Sequence, residues 1–134
     1  MILGIGNDLI ELERIRNAVE RFGERFLYRC FTRRELEFCR SFSDPIPHLA
    51  ARFAAKEAGA KALGTGIARG ILWREIEVLR RRGHRPTLHL HGRAWGRAEA
   101  MGAERAHVTL THSRTMAEAV VLVEGFGELR SSET

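Results

Sequence analysis

The stretch ARFAAKEAGAKALGTGI, residues 51–67, predicts the long helix around which the rest of this chain is arranged. Alanine favours the interior of a helix, and the Gly-Thr-Gly turn that follows ends it. Pro45 and Pro47 mark a break upstream, so the helix is predicted over residues 47–63. The charged side chains of the quoted stretch fall at helical spacing; they are Arg52, Lys56, Glu57 and Lys61.

These charges admit two interpretations. A carboxylate with cations one helical turn away suits a site for a metal ion and a polyphosphate, because the metal needs anionic oxygens and the phosphates need positive charge. Charges at this spacing also form ordinary solvated faces, and Glu57 with Lys61 is an i,i+4 pair worth only about 0.3–0.5 kcal/mol. Taken alone, the helix favours the solvated face.

The opening of the chain, MILGIGNDLIELERI at residues 1–15, supplies a second carboxylate. Its apolar start predicts a buried strand over residues 2–8, in which Gly4 and Gly6 let another backbone approach closely. Asp8 is predicted at the end of this strand, where functional sites cluster, although aspartate is also favoured as the N-cap of a following helix. The segment lacks the third glycine of a dinucleotide-binding fingerprint, which excludes that class of site.

The other predicted elements complete a single α+β domain with a largely antiparallel sheet packed on the long helix. Thr32 and Glu35 form a capping box that begins a short helix. The last strand is apolar on both faces and is expected at the centre of the sheet. The helices are predicted as one ending near Phe22, the capped helix, the long helix and residues 93–101, and the strands as residues 2–8, 76–79, 87–91, 108–111 and 117–123.

Composition agrees with one compact domain. The 134 residues are 44% hydrophobic and carry a formal net charge of +5, which fits an anionic partner of any kind. We expect neither a signal peptide nor a membrane-spanning stretch, and therefore a cytoplasmic protein. Cys30 and Cys39 lack CxxC spacing, so both are expected to remain reduced packing groups.

Arginine supplies most of the positive charge. Arg14, Arg21 and Arg25 fall on one helical stripe beside an apolar stripe, which predicts a basic face next to a buried one. The arginines at positions 80–82 precede a Gly-His-Arg-Pro sequence and are expected in an exposed hairpin turn that binds no ligand.

Four ordered segments resemble the holo-acyl-carrier-protein synthase family of 4'-phosphopantetheinyl transferases. They are GIGNDLIELERI at residues 4–15, FTRRELEFC at 31–39, RFAAKEAGAKALGTGI at 52–67 and VTLTHS at 108–113. The resemblance extends from Ile5 to about Val123. The departures from the common family residues are small and fall at Phe38, Ala51, Thr109 and Thr111.

The resemblance implies an enzyme and its substrates. It implies a transferase domain over residues 1–125, a polar tail over residues 126–134, and a homotrimer with sites between subunits. The 4'-phosphopantetheine group of coenzyme A would pass to a serine of apo acyl carrier protein for fatty acid synthesis, leaving adenosine 3',5'-bisphosphate. The acidic carrier protein would dock on Arg14, Arg21 and Arg25.

The same resemblance assigns roles within the site. Asp8 and Glu57 would hold one Mg²⁺, and Lys61 would stabilise the departing phosphate. Glu57 would take the serine proton directly or through a water bound to the metal, and the sequence leaves that choice open. The groups that would contact coenzyme A are Arg52, Lys56, Lys61, Gly64, Gly66 and His112.

Two other classes of function remain in view. An arginine-rich nucleic-acid-binding module would explain the net charge, but Tyr28, Trp73 and Trp95 form no evident stacking series. A non-catalytic adaptor for carrier proteins would share the fold, but the presence of both Asp8 and Glu57 argues against it.

Overall fold

The computed structural model describes residues 1–67 and 70–126. The predicted tail, residues 126–134, lies outside the described residues apart from Phe126. The helices are α1 (Leu12–Phe22), α2 (Glu24–Cys30), α3 (Arg33–Arg40), α4 (Ile46–Ala62) and α5 (Gly92–Ala100). The strands are β1 (Ile2–Glu11), β2 (Ile76–Leu79), β3 (Thr87–Leu90), β4 (Ala103–His112) and β5 (Met116–Gly125), and a short 3-10 turn, Trp73–Glu75, precedes β2.

The larger sheet is antiparallel and has the strand order β1-β5-β4. This order confirms that the closing strand is central. In β5 every second residue is buried, because that face of the sheet lies against α4. The alternation places the remaining β5 side chains on the opposite face, which no other described element covers to the same extent.

Helix α4 and strand β1 touch through their backbones. A Cβ atom on Gly4 would collide with the carbonyl group of Ala62, and one on Gly6 with that of Ala58. Only glycine allows this approach, and the small alanines of α4 complete the contact. The long helix is predicted to within one residue at each end, since its caps and its alanine-rich composition are local signals.

A second, two-stranded sheet pairs β2 with β3. It packs against α3, whose first turn is closed by the predicted capping box: Thr32 accepts from the Glu35 amide, and Glu35 accepts from the Thr32 amide. The box therefore turns the buried side chain of Glu35 towards β2. Cys30 and Cys39 lie in the core nearby, and burial raises the pKa of each thiol to about 11.

Two predictions about the first half of the chain are wrong, and one helix was not predicted. Strand β1 continues to Glu11, so Asp8 neither ends a strand nor caps a helix; it pairs with Ala119 in mid-strand. A positive φ of 58° at Gly23 ends α1 and starts α2, a helix that the sequence pattern did not predict. Arg25 consequently lies on a different helix from Arg14 and Arg21, and the continuous basic stripe is interrupted.

Two further observations complete the fold. Strand β4 begins five residues earlier than predicted, at Ala103, because pairing with β5 extends it. Within residues 1–67 and 70–126, none of the helices combines the length and apolar character needed to cross a bilayer.

Candidate active site

Asp8 lies on the side of β1 that faces α4, on the same face as Gly4 and Gly6. The Lys61 ammonium donates to Asp8 Oδ1 at 3.0 Å and to the Asn7 carbonyl at 3.1 Å. Lys61 is one helical turn beyond Glu57. The contact therefore places Asp8 against α4 at Lys61, one helical turn from Glu57.

Glu57 is half-buried and is held by an aromatic side chain. Trp73 Nε1 donates to Glu57 Oε2 in a short hydrogen bond of 2.7 Å. None of the described residues donates a hydrogen bond to the other carboxylate oxygen, Oε1. One oxygen of Glu57 is thus committed to the protein, and one is free for a ligand.

The donor set fits Mg²⁺. Within the described part of the chain there is no group of three or more His, Cys, Asp or Glu side chains suited to a metal ion. Mg²⁺ needs only one or two carboxylates, because it keeps several waters and takes its remaining ligands from substrate phosphates. Asp8 and Glu57 supply two hard oxygen donors of this kind on facing elements, with the Lys61 cation beside them.

The structure contradicts the assignment of Lys56 to the phosphates of coenzyme A. Its side chain is completely buried and donates to Glu35 Oε1 at 2.7 Å and to the carbonyls of Ile76 and Trp73 at 2.7 and 3.1 Å. All three ammonium hydrogens are used inside the protein. Lys56 joins α4 to α3 and to β2, and it contacts no ligand site.

Arg52 is also buried, but its hydrogen bonding is incomplete. Nη1 donates to the His48 carbonyl at 3.1 Å, and the guanidinium lies 4.6 Å from the centre of the Phe38 ring. Nε and Nη2 have no hydrogen-bond partner among the described residues. Burial lowers the pKa of Arg52, while the charge of Glu35 partly opposes that shift. A buried cation with two unused donors is a favourable place for an anion.

Further basic side chains lie near Arg52, and the arginines among them make this a cationic cluster. The rings of His48 and His112 lie 5.6 Å apart, and the His48 ring stacks on Phe42 at 3.7 Å. The Arg82 guanidinium lies 4.2 Å from the centre of the Phe42 ring. Arg82 also donates to the carbonyl and hydroxyl oxygens of Ser41. The cluster consists of His48, Arg52, Arg80, Arg82 and His112.

Three members of the cluster, His48, Arg80 and Arg82, line a cleft of about 270 Å³ whose lining contains no acidic residue. Burial and the charges of Arg52 and His112 lower the pKa of His48. His48 is not among the residues predicted from the sequence, and Arg82 was expected in a turn that binds no ligand. In the sequence, only the charge of Arg82 indicated an anion site. The folded hairpin is what brings Arg82 to the start of α4.

Gly64 and Gly66 both have positive φ values, 78° and 65°. The amides of Gly64, Thr65 and Gly66 donate to carbonyls at the end of α4, so these N–H groups close the helix. The Thr65 hydroxyl is buried and has no hydrogen-bond partner in the described part of the chain. These amides are therefore not available to bind a nucleotide. A nucleotide would instead lie close to the two glycines, which have no side chain, or contact the Thr65 hydroxyl.

The three arginines predicted to bind a carrier protein are all exposed. Arg14 and Arg21 lie on α1, and Arg25 lies at the start of α2. The neighbouring Arg16 instead forms an ion pair with Asp44 at 3.1 Å. The three predicted side chains are accessible to an acidic partner, although they do not share one helix.

Comparison with known proteins relates this arrangement to one family. Residues 4–117 match the family model described as the 4'-phosphopantetheinyl transferase superfamily. The chain is 51% identical to a holo-[acyl-carrier-protein] synthase of Solidesulfovibrio magneticus, covering 93% of this chain and 100% of that one. A synthase of the same name from Koribacter versatilis is 45% identical, with coverage of 92% and 99%.

Solved structures agree with the sequence comparison. The holo-[acyl-carrier-protein] synthase of Neisseria meningitidis superposes with a TM-score of 0.82 at 35% identity, covering 92% of this chain and 99% of that one. The Helicobacter pylori synthase, solved in complex with coenzyme A, has a TM-score of 0.79 at 28% identity, with coverage of 90% and 99%.

Proposed function

The chain belongs to the 4'-phosphopantetheinyl transferase superfamily, and we propose that it acts as a holo-acyl-carrier-protein synthase. It transfers the 4'-phosphopantetheine group of coenzyme A to a serine of apo acyl carrier protein and leaves adenosine 3',5'-bisphosphate. The observation that carries this assignment is the similarity over the full length of relatives with that activity in their names. It favours a transferase over a nucleic-acid-binding module, and we place the reaction in the cytoplasm.

Asp8 and Glu57 would hold the Mg²⁺ that the family implies. When bound, the ion would polarise the pyrophosphate of coenzyme A and neutralise charge on the leaving group. Glu57 supports this role because Trp73 holds its Oε2 atom and none of the described residues donates a hydrogen bond to Oε1. Glu57 would also take the serine proton, directly or through a water.

Lys61 would stabilise the departing phosphate. Its side chain is 54% exposed and bonded to Asp8 at 3.0 Å, so it can turn towards a substrate without leaving a buried charge behind. Its distance along the helix from Glu57 is one turn, which places a cation next to the carboxylate that binds the metal. Lys61 thus keeps the role predicted for it from the sequence, whereas Lys56 is buried and serves the fold.

The cationic cluster would bind the remaining phosphates of coenzyme A. Arg52 supplies two buried donor atoms that have no partner among the described residues, and the His112 ring lies 5.6 Å from that of His48, which lines the cleft. The cluster contains no carboxylate that would compete with phosphate. Gly64 and Gly66 remain proposed neighbours of the nucleotide.

A homotrimer would cover the outer face of the larger sheet. Ile5 and Leu9 on β1 are 60% and 57% exposed, and Leu122 pairs with Ile5 across the sheet. Asn7 donates to Glu118 between them. Large apolar side chains on an open face are typical of an interface. Light scattering should give three times the chain mass of 15.2 kDa for the parent, and less for Ile5→Glu with Leu9→Glu.

The test of the activity uses intact mass spectrometry. The protein is mixed with apo acyl carrier protein, coenzyme A and Mg²⁺, and we expect the carrier to gain one phosphopantetheine group. Glu57→Gln and Asp8→Asn should abolish most transfer while the melting temperature is retained. Glu99→Gln, an exposed acidic residue on α5, is the control. No transfer by the parent would refute the function, and normal transfer by both site variants would refute the metal assignment.

A further inference from the structure

We propose that Trp73 is a positioning residue for Glu57. Its indole N–H fixes Oε2 of the carboxylate, so that Oε1 is presented in one orientation to the divalent cation. This inference rests on the proposed function, because it concerns the same carboxylate. It adds a residue from outside α4 and β1 to the machinery of the site.

The geometry of the indole supports this role. The Trp73 Nε1 atom lies 2.7 Å from Glu57 Oε2, near the short end of the range for a hydrogen bond to a charged acceptor. The indole ring stacks on Phe53 with a centroid separation of 5.8 Å. The Arg29 guanidinium lies 5.9 Å from the ring centre. The donor is thus carried by a ring that its neighbours hold in place.

The backbone of Trp73 is anchored as well. Its carbonyl accepts from Lys56 Nζ at 3.1 Å, and Lys56 is the residue next to Glu57 in α4. Phe53, which stacks on the indole, lies one turn before Glu57 on the same helix. Side chain and main chain of Trp73 are therefore both tied to the segment of α4 that carries the carboxylate.

Such an anchor matters because a free glutamate side chain samples several rotamers. Ordering the carboxylate before the metal arrives removes part of the entropic cost of binding. Partners of metal-binding carboxylates and histidines commonly affect metal affinity or activity by about 10–100-fold when they are removed. Trp73 stands in that relation to Glu57, although it does not touch the metal or the substrate.

Trp73→Phe removes the N–H donor and keeps an aromatic ring, although a smaller one, against Phe53. Trp95→Phe is the matched control; Trp95 is the other tryptophan of the chain and lies 47% exposed on α5. Mn²⁺ serves as the probe, because electron paramagnetic resonance measures its free concentration directly in a titration of the protein without substrates.

We expect Trp73→Phe to weaken Mn²⁺ binding about tenfold and Trp95→Phe to leave it unchanged. In a Glu57→Gln background, Trp73→Phe should cause no further loss, because the indole acts through the carboxylate. The Mg²⁺ concentration for half-maximal transfer should rise to a similar extent, while KM for the carrier protein stays constant. Parent-like Mn²⁺ binding in Trp73→Phe, or an equal loss in the Glu57→Gln background, would overturn the proposal.

A second measurement does not depend on the folding of Trp73→Phe. In Trp95→Phe, Trp73 is the single tryptophan, and Mn²⁺ bound at Glu57 should quench its fluorescence with the affinity found by paramagnetic resonance. Unquenched emission at saturating Mn²⁺ would contradict the proposal. If the parent binds Mn²⁺ in this way but transfers no phosphopantetheine, the proposed function fails and the role of Trp73 stands.

Discussion

Lys56 and Lys61 are the two lysines of the chain, and they lie five residues apart on α4 in opposite surroundings. Lys56 is fully buried against Glu35, whereas Lys61 is 54% exposed and paired with Asp8. Five residues rotate a helix by about 140°, so one lysine faces α3 and β2 and the other faces β1. The element that packs opposite a charged side chain therefore decides whether that side chain stabilises the fold or serves a site. The spacing of the charges in the sequence does not.

The largest effect is expected from breaking the buried pair. Lys56→Met leaves the Glu35 carboxylate without its cation in the core, which should cost about 3–5 kcal/mol of stability. Combining it with Glu35→Leu should recover part of this loss, because no charge then remains buried. Urea unfolding measures both. A loss below about 1 kcal/mol in the single variant would mean that the pair is not buried as described.

Lys61→Met tests the role of the exposed lysine. Its ion pair with Asp8 is largely exposed, so stability should change by less than about 1 kcal/mol. Loss of the cation that stabilises the leaving phosphate should lower kcat about 100-fold. The transfer assay and urea unfolding together separate the two lysines. An unchanged kcat would reduce Lys61 to a surface ion pair.

Arg14 and Arg21 are cations that form no ion pair or side-chain hydrogen bond with the described residues, although Arg21 lies 5.4 Å from the centre of the Phe22 ring. Arg14→Glu combined with Arg21→Glu should raise KM for the carrier protein about tenfold with little change in kcat, because complementary charge acts mainly on capture. The KM for coenzyme A should remain as in the parent. The reversal of Arg105, which lies on β4, is a control at a distant exposed site. A constant carrier KM would refute the docking face.

The smallest effect concerns His48, a half-buried base among cations. The pKa of His48 is lower in the folded protein than in the unfolded chain, where it is near 6.5. As the pH falls, the unfolded chain therefore binds the proton first. Stability should therefore fall as the pH drops from about 6.5 towards the folded pKa. His48→Phe keeps the stack on Phe42 and removes this titration, so its melting temperature should fall by about 1–3 °C less between pH 7 and pH 5. Equal slopes would contradict the shift.

Local patterns predicted the framework well. The proline break, the alanines and the terminal glycines located α4 to within one residue, and Thr32 with Glu35 located the start of α3. The apolar closing strand was correctly expected at the centre of the sheet. These features depend on neighbours in sequence, so periodicity and capping rules describe them.

Contacts between distant segments were not predictable in the same way. Lys56 and Lys61 look alike in sequence, and only the positions of Glu35 and Asp8 distinguish them. Trp73 was considered as a stacking residue and not as a donor to Glu57, 16 residues away. Asp8 was predicted at a strand end because its own segment gives no sign of the pairing with β5. This pairing extends β1 to Glu11.

The glycines of β1 have a consequence for how this fold can vary. Gly4 and Gly6 set the separation of β1 and α4 by main-chain contact with the carbonyls of Ala62 and Ala58. Exchanges among the larger core side chains elsewhere should therefore leave this backbone contact in place. The separation of β1, which carries Asp8, from α4, which carries Glu57, is therefore set by the backbone. A single methyl group at either glycine would push the two elements apart.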